Sequence, residues 1–233
     1  IGRYEKTIKR YEKMKNIDNN KRYDEAKRRQ DLNVESEKSG YNNKHEKNTV
    51  IQYPYKFIDD YLIKLIKHKN SHLKLLDYCC GTGLRSIAAA ENGYECYGID
   101  ISEKSIEVAK ERLGLIDPEI PKNYSVGNAE KLSFQNNFFD VIISYGSFSY
   151  LDFDIAIDEV RRVLKRDGIF IILDTTKNNF FINIKRYIKY KRNIVSKFHI
   201  DNLFDINKIN KLEKYYFKKS ETQYFHLLST LAI

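Results

Sequence analysis

The chain has 233 residues, of which 42% are hydrophobic and 13% aromatic. This composition allows one α/β domain with an appendage, and it excludes a disordered chain as well as two full domains. No apolar run approaches the ~20 residues that a membrane span requires. The three cysteines have neither the number of a disulfide framework nor the spacing of a zinc site. We therefore expect a cytoplasmic, reduced and metal-free protein.

The net charge of +9 is unevenly distributed. Residues 1–50 carry 14 Lys and Arg against 9 Asp and Glu, and residues 177–233 carry 12 against 4. The middle of the chain is slightly acidic. A solvated helical surface accounts for such flanks, and so does contact with an anionic partner such as a phosphate-bearing sugar, a lipid or RNA.

The predicted elements begin with a polar, helix-biased region over residues 1–48, in which residues 33–48 have the composition of an exposed loop. Residues 55–68 have apolar side chains at helical spacing and predict an amphipathic helix. Strand and helix patterns then alternate, with strands predicted at LKLLDY, YECYGID, NYSVGNA, FDVIISYG and IFIILD. The helices predicted between them include SEKSIEVAKERLG, with Ser102 as its N-cap, and DIAIDEVRRVLKRDG (residues 154–168). After Asp174 a basic stretch is typical of a helix, and KKSETQYF alternates like an edge strand. The alternation predicts a doubly wound, mostly parallel sheet, which binds ligands beyond the carboxyl ends of its strands.

Two glycines follow the first predicted strand. Gly81, Gly83 and Ser86 form G-x-G-x-x-S, which lies one small residue away from the dinucleotide fingerprint. Asp77 precedes them at the end of the strand, where a carboxylate would repel a pyrophosphate but could engage an ammonium group. The loop is therefore a ligand site, and Asp77 argues against NAD.

Five motifs in order carry a resemblance to a known family. They are LDYCCGTG (residues 76–83), YGID (97–100), GNAEKLSF (127–134), FFDVIISYGSFSYL (138–151) and EVRRVLKRDGIFIILD (159–174). Over about residues 73–175 the sequence resembles the class I, Rossmann-like S-adenosylmethionine (SAM)-dependent methyltransferases, especially the quinone-methylating group. The region after Asp174 weakly resembles methyltransferases associated with polysaccharide biosynthesis. The resemblance implies a seven-stranded sheet with an N-terminal helical lid.

The resemblance also implies a site for SAM and its product S-adenosylhomocysteine (SAH). Asp77 would orient the glycine loop or contact the methionine ammonium, and Asp100 would accept hydrogen bonds from the ribose hydroxyls. The adenine would lie between Ile101 and Ala129. The cofactor-binding set it implies is Asp77, Cys79, Gly81, Thr82, Gly83, Asp100, Ile101, Asn128, Ala129, Glu130, Ser144 and Tyr145.

Two residues depart from the family's pattern. Cys79 stands where the family has the first glycine of its run, so we expect a backbone conformation there that a side chain tolerates. Asn128 replaces the usual aspartate, which removes a charge but keeps an acceptor and adds donors. We interpret the cysteines as small apolar fillers at the strand end rather than as nucleophiles.

The candidates for a general base or an acceptor contact are His199, Tyr145 and Tyr150; capping or packing roles are the alternatives. Tyr23 and Tyr53 are candidates for lid contacts over the cofactor, with packing as the alternative. We expect a lid at residues 1–50, a SAM-binding core at 51–176, and an acceptor pocket with the last strands at 177–233.

The predicted function is methyl transfer from SAM to an O or N atom of a small molecule, such as a sugar or a phosphate-bearing metabolite, which can be anionic. An RNA methyltransferase is one alternative, although no RNA-binding module is recognisable. A catalytically inactive binding subunit is another, against which the intact cofactor motifs argue.

Overall fold

The computed structural model describes residues 22–32, 34–35, 49–69, 72–177, 180–192, 196–217 and 221–222. Its strands are β1 (Lys74–Tyr78), β2 (Glu95–Asp100), β3 (Tyr124–Val126), β4 (Phe139–Tyr145) and β5 (Leu164–Leu173). Its helices are α1 (Thr49–Lys69), α2 (Leu84–Glu91), α3 (Glu103–Gly114), α4 (Phe153–Val163), α5 (Phe180–Lys191), α6 (Lys197–Asp201) and α7 (Ile206–Lys211). Short 3₁₀ turns at Ile120–Asn123 and Phe148–Tyr150 and a π-helical turn at Leu212–Tyr216 complete the regular structure.

The five strands form one parallel sheet in the order β3-β2-β1-β4-β5. The chain moves outward from β1 to β3 and then returns to the other side of β1 to form β4. Strand order therefore reverses between β1 and β4, and a ligand crevice is expected at the carboxyl ends of these two strands. The residues that end them, Tyr78 and Tyr145, are followed by the loops that build the candidate site.

The sheet separates two hydrophobic cores. Neighbouring residues of a strand point to opposite faces, so Leu75 belongs to one core and Leu76 to the other. Leu76 and Ile142 pack with Ile157 of α4, whereas Leu75 packs with Leu62 of α1 and with residues of α2 and α3. These helices on both faces bury the central strands and fix the positions of the strand ends.

The prediction of a seven-stranded sheet is wrong for the described residues, which form five strands. The described residues between Phe180 and Tyr216 are mainly helical. The edge strand predicted at residues 218–225 falls almost entirely outside the described part of the chain. The alternating pattern before residue 174 thus predicted these five strands correctly, whereas the seven strands implied by the resemblance are not found in the described part of the chain.

The predicted boundary between α4 and β5 is also wrong. The sequence pattern placed residues 164–168 in the helix, but the helix ends at Val163 and β5 begins at Leu164. The amides of Asn137 and Phe138 donate to the carbonyls of Arg162 and Val163, at 2.9 and 2.8 Å, and so satisfy the last turn of the helix. Leu164 pairs with Phe139 and Ile169 pairs with Val141, so residues 165–168 bulge out of the ladder.

A helical stretch at residues 22–32, called here the N-terminal helical segment, lies against the loops that follow β1, β2, β3 and β4. Its contacts reach Gly81, Ser102, Glu130 and Tyr150. Within the described residues, no helix is both long enough and apolar enough to span a membrane.

Candidate active site

The loop after β1 has three residues in the left-handed region. Cys79, Gly81 and Gly83 have φ values of 60°, 52° and 70°. The amide of Gly81 donates to Asp100 Oδ2 at 2.9 Å, and the amide of Cys80 donates to the carbonyl of Ile99 at 3.0 Å. The loop is thereby tied to the end of β2. The positive φ of Gly81 favours glycine, and a Cβ atom there would lie 2.6 Å from Gln30 Nε2, so the Gln30 side chain would have to move.

The expectation for the backbone at Cys79 is wrong. A φ of 60° is a conformation that side chains tolerate poorly, and it costs about 1–2 kcal/mol for a residue with a Cβ atom. The turn keeps the geometry that suits the family's glycine, and Cys79 is strained in it. Burial raises the pKa values of the Cys79 and Cys80 thiols well above the ordinary value, which keeps both protonated.

Two buried carboxyl groups lie at the ends of β1 and β2. Asp77 accepts a hydrogen bond from the Ser86 hydroxyl, and burial raises its pKa to about 7 against the effect of that bond. Asp100 accepts from the amides of Gly81 and Ser102, each at 2.9 Å. Burial raises the pKa of Asp100, and the backbone amides oppose this shift. Each Asp100 oxygen retains a lone pair, so the carboxylate can accept two further hydrogen bonds from a ligand.

The loop after β3 is fixed by its own side chains. Asn128 Oδ1 accepts from the Glu130 amide at 2.8 Å, and the Ala129 carbonyl accepts from the buried Tyr78 hydroxyl at 2.8 Å. Asn128 therefore retains the acceptor that we expected of it as a replacement for aspartate. Its Nδ2 group donates to the Tyr23 hydroxyl at 3.1 Å. Ala129 is buried, and Ile101 is partly exposed.

Thr82 is held from α3, since Arg112 Nη1 donates to Thr82 Oγ1 at 2.6 Å. At the end of β4 the Ser144 and Ser147 hydroxyl groups are hydrogen bonded at 2.6 Å. The ring of Tyr145 packs against that of Tyr55 of α1, with ring centroids 5.7 Å apart. Burial raises the pKa of Tyr145 well above its ordinary value, so its hydroxyl group stays protonated at neutral pH. It can donate a hydrogen bond but cannot act as a base under these conditions.

The structure brings Tyr150 and His199 together. Their rings are stacked with centroids 4.5 Å apart, and the guanidinium carbon of Arg29 lies 5.1 Å from the Tyr150 centroid. Burial, and after it the positive charges of Arg29, Arg186 and Lys189, together lower the pKa of His199 to about 4. His199 is therefore neutral at pH 7. Burial raises the pKa of Tyr150 to about 12.

The N-terminal helical segment contains the lid candidate Tyr23 and two residues that the sequence analysis did not single out, Arg22 and Asp31. Arg22 and Tyr23 both donate to Glu130 Oε2 at 2.7 Å, and the Arg22–Glu130 ion pair is almost completely buried. Asp31 accepts from the Ser102 hydroxyl at 2.6 Å. The polar helical pattern of this segment was visible in the sequence, but its partners lie about 70 to 108 positions away in the chain. Tyr53, the other lid candidate, lies on α1 and is 58% exposed.

These residues fit the binding of SAM. The glycine turn has left-handed backbone at Gly81 and Gly83, and the buried carboxylate of Asp100 has acceptor capacity for a pair of adjacent hydroxyl groups. A parallel sheet in the order β3-β2-β1-β4-β5 with this site at its strand-order reversal defines a doubly wound, Rossmann-like domain.

Comparison with known proteins agrees with this class. Residues 76–172 match the family model described as a methyltransferase domain. The chain is 37% identical over 123 residues to the demethylmenaquinone methyltransferase of Leptospira interrogans, which covers 51% of this chain and 49% of that protein. It is 36% identical over 124 residues to the demethylmenaquinone methyltransferase of Staphylococcus aureus, with coverages of 51% and 49%.

A solved structure described as a SAM-dependent methyltransferase, possible histamine N-methyltransferase, from Thermotoga maritima is 20% identical with a TM-score of 0.47, covering 73% of each chain. Over residues 76–172 the chain is similar to SAM-dependent methyltransferases, which use SAM as the methyl donor and release SAH. It spans about half the length of the curated relatives that it matches.

Proposed function

We propose that the protein transfers a methyl group from SAM to an oxygen or nitrogen atom of a small molecule. The observation that carries this proposal is the buried pair of Asp100 and the Gly81 loop, locked together by a 2.9 Å hydrogen bond at the point where strand order reverses. When bound, SAM supplies an electrophilic methyl group. The residues that would hold it are the twelve that the sequence indicates, with Asp100 on the ribose and the Gly81 loop on the methionine end.

The chain's own residues contribute mainly by positioning. The amides of Gly81 and Ser102 hold the Asp100 carboxylate, and the Ser86 hydroxyl holds Asp77. Alignment of two reactants by such fixed groups can supply several orders of magnitude in rate. His199 of α6 is neutral, so it can take up a proton from a hydroxyl or amine group of the methyl acceptor. The positive charges of Arg29, Arg186 and Lys189 lower the basicity of His199, and a bound anion would offset this effect.

The N-terminal helical segment is proposed to act as the lid. It lies over Gly81, and it contacts Ser102 and Asn128 through Asp31 and Tyr23. Tyr23 contributes through its hydrogen bonds to the loop after β3, whereas Tyr53 is proposed as a lid contact from α1. A segment bonded to these loops excludes water from the site when it is closed.

The acceptor class is the finer part of the proposal. The basic flanks favour a sugar or a phosphate-bearing metabolite, whereas the curated relatives are named for the methylation of demethylmenaquinone. An acceptor screen should therefore contain nucleotide sugars, phosphorylated metabolites and a soluble hydroquinone. Formation of SAH above the no-acceptor background identifies the class.

RNA remains the second candidate acceptor because Lys189 and Lys191 of α5 and the following Arg192 are exposed on the surface. RNA held by phosphate contacts predicts an affinity that falls by roughly 0.7 log unit per log unit of salt for each phosphate contacted. A binding constant that does not change with salt rules this candidate out.

The first test is calorimetric titration with SAH, with NAD as the ligand control. Asp100→Ala removes an acceptor of two charge-assisted hydrogen bonds of about 1.5–3 kcal/mol each, so we expect affinity to fall by about 100-fold or more. Asp167→Ala, at an exposed position in the bulge of β5, is the matched control and should bind as the parent does. A folded parent protein that does not bind SAH contradicts the proposed function. SAH binding with no turnover of any acceptor instead indicates a binding subunit.

A further inference from the structure

A group of polar side chains near the ends of β4 and β5 has bonding capacity that the described protein does not use. We call it the Arg29–His199 cluster, and it consists of Arg29, Ser149, Tyr150, Arg186 and His199. The cluster joins four parts of the chain: the N-terminal helical segment, the turn after β4, α5 and α6. Tyr150 lies at its centre, stacked on His199 and within 5.1 Å of the Arg29 guanidinium carbon.

Three buried polar atoms of this cluster have no hydrogen-bond partner within the described structure: Arg29 Nη1, Ser149 Oγ and His199 Nδ1. Ser149 is 1% exposed and His199 is 9% exposed. Each buried group without a partner costs about 1–3 kcal/mol, so native proteins rarely leave one unsatisfied. Three of them from three different elements indicate a polar ligand that completes the bonding.

The charges of the cluster indicate the sign of that ligand. Arg186 is 9% exposed and donates to the Thr176 carbonyl and to Asn183 Oδ1, both neutral acceptors at 3.0 Å. Within the described residues, neither Arg29 nor Arg186 has a carboxylate within ion-pair distance. Lys189 adds to the positive field at His199.

The acidic groups near the cluster offset only part of this charge. Glu25 and Asp174 act on Tyr150, and Asp174 also acts on Arg186. The Asp174 oxygens accept hydrogen bonds from the amides of Phe148 and Thr175, at 3.0 and 2.7 Å. This carboxyl group therefore holds the turn after β4 in place. Burial raises its pKa to about 6, so it is partly protonated near neutral pH and then carries less than a full negative charge.

The position of the cluster relates it to the cofactor site. Gln30, next to Arg29 on the same segment, lies against Gly81 of the glycine loop. Ser147, near Tyr150 in the turn after β4, is bonded to Ser144 at the end of the strand. The cluster therefore adjoins the glycine loop on the side of β4 and β5.

We propose that the Arg29–His199 cluster binds an acidic group, a carboxylate or a phosphate, of the methyl acceptor. That the bound molecule is the methyl acceptor rests on the proposed function. That it carries an acidic group rests on the charges and the unpartnered polar atoms of the cluster itself. Arg29 supplies the charged donor, Ser149 supplies a hydroxyl donor, and neutral His199 supplies a ring nitrogen that can donate or accept. An acidic acceptor bound here also offsets the positive field at His199, so substrate binding restores the basicity that the arginines suppress.

The test follows the His199 ring resonance by NMR while SAH-loaded protein is titrated with sodium phosphate or sodium benzoate at constant ionic strength. The chain has five histidines, so His199→Gln assigns the signal. We expect a saturable shift with at least one of the two anions and none with benzamide, which has the same ring but no charge. Arg29→Gln should lower the affinity for the anion that binds by about tenfold or more, because one charge-assisted hydrogen bond is lost. Arg28→Gln, the same change at the exposed neighbouring position, should have no effect.

A response that sodium chloride reproduces, or that Arg29→Gln leaves unchanged, overturns the inference. If Arg29→Gln destabilises the fold, Ser149→Ala is the second variant. It removes only a hydroxyl group and should still lower the affinity for the anion. SAH binding without any effect of phosphate or benzoate overturns this inference and leaves the proposed function intact. An anion response in protein that does not bind SAH overturns the proposed function, and with it the assignment of the anion to a methyl acceptor.

Discussion

Truncation of Arg22 to alanine tests whether the buried ion pair fastens the N-terminal helical segment to the site. Arg22 Nη2 lies 2.7 Å from Glu130 Oε2, and the two side chains are 6% and 4% exposed. Removing one partner of such a pair leaves an uncompensated buried charge and typically costs 3–5 kcal/mol. Glu130 retains hydrogen bonds from the Tyr23 hydroxyl and the Asp152 amide. We therefore expect a loss near the lower limit, about 3 kcal/mol at pH 7.

A second substitution tests whether the loss comes from the charge left on Glu130. Adding Glu130→Gln to the Arg22→Ala variant removes the charge but keeps an acceptor for Tyr23 and Asp152, so it should recover part of the loss.

The assay is urea unfolding at pH 7, with hydrogen exchange at residues 22–32 to show whether the segment detaches first. Local detachment would limit the measured global loss, because Glu130 would then become hydrated in the folded core. Arg28→Ala, on the exposed side of the same segment, should change stability by less than about 0.5 kcal/mol. A loss below about 1 kcal/mol at pH 7, with unchanged exchange in the segment, would refute the reasoning.

Two further predictions concern strained or buried groups. Cys79→Gly should stabilise the fold by up to about 1 kcal/mol in thermal or urea unfolding, because the backbone strain at φ 60° outweighs the added freedom of the unfolded chain. The control is Cys80→Gly, the same substitution at a residue without a positive φ, which should destabilise the fold. Burial raises the pKa of Asp174 to about 6 in the folded protein, against about 4 in the unfolded chain. The protonated carboxyl group therefore stabilises the fold fully below about pH 4, and this stabilisation is lost as the pH rises through 6. Asp174→Asn should flatten the stability profile between pH 4 and pH 7, and an unchanged slope would contradict the assignment.

Much of the fold could be predicted from the sequence because its signals are local. The five strand patterns and the cap at Ser102, whose hydroxyl group accepts from the Ser105 amide, depend on residues close together in the chain. The glycine loop is likewise local, since its turn requires left-handed backbone at Gly81 and Gly83. The family motif gave the cofactor set but misled at Cys79, because a motif records a preferred residue and not the φ value that the turn imposes.

The sequence by itself determined the parallel sheet and the glycine turn, since hydrophobic period and turn chemistry act over a few residues. Its resemblance to a known family implied SAM as the ligand of that turn. Only the tertiary structure decided that Arg22 and Tyr23 converge on Glu130, that α4 ends at Val163, and that Tyr150 lies between His199 and Arg29. These contacts join residues that are far apart in the chain and depend on how helices pack at the sheet's edge. A basic residue reads the same in the sequence whether it is solvated or buried, and only the structure shows that Arg22 and Arg186 are buried.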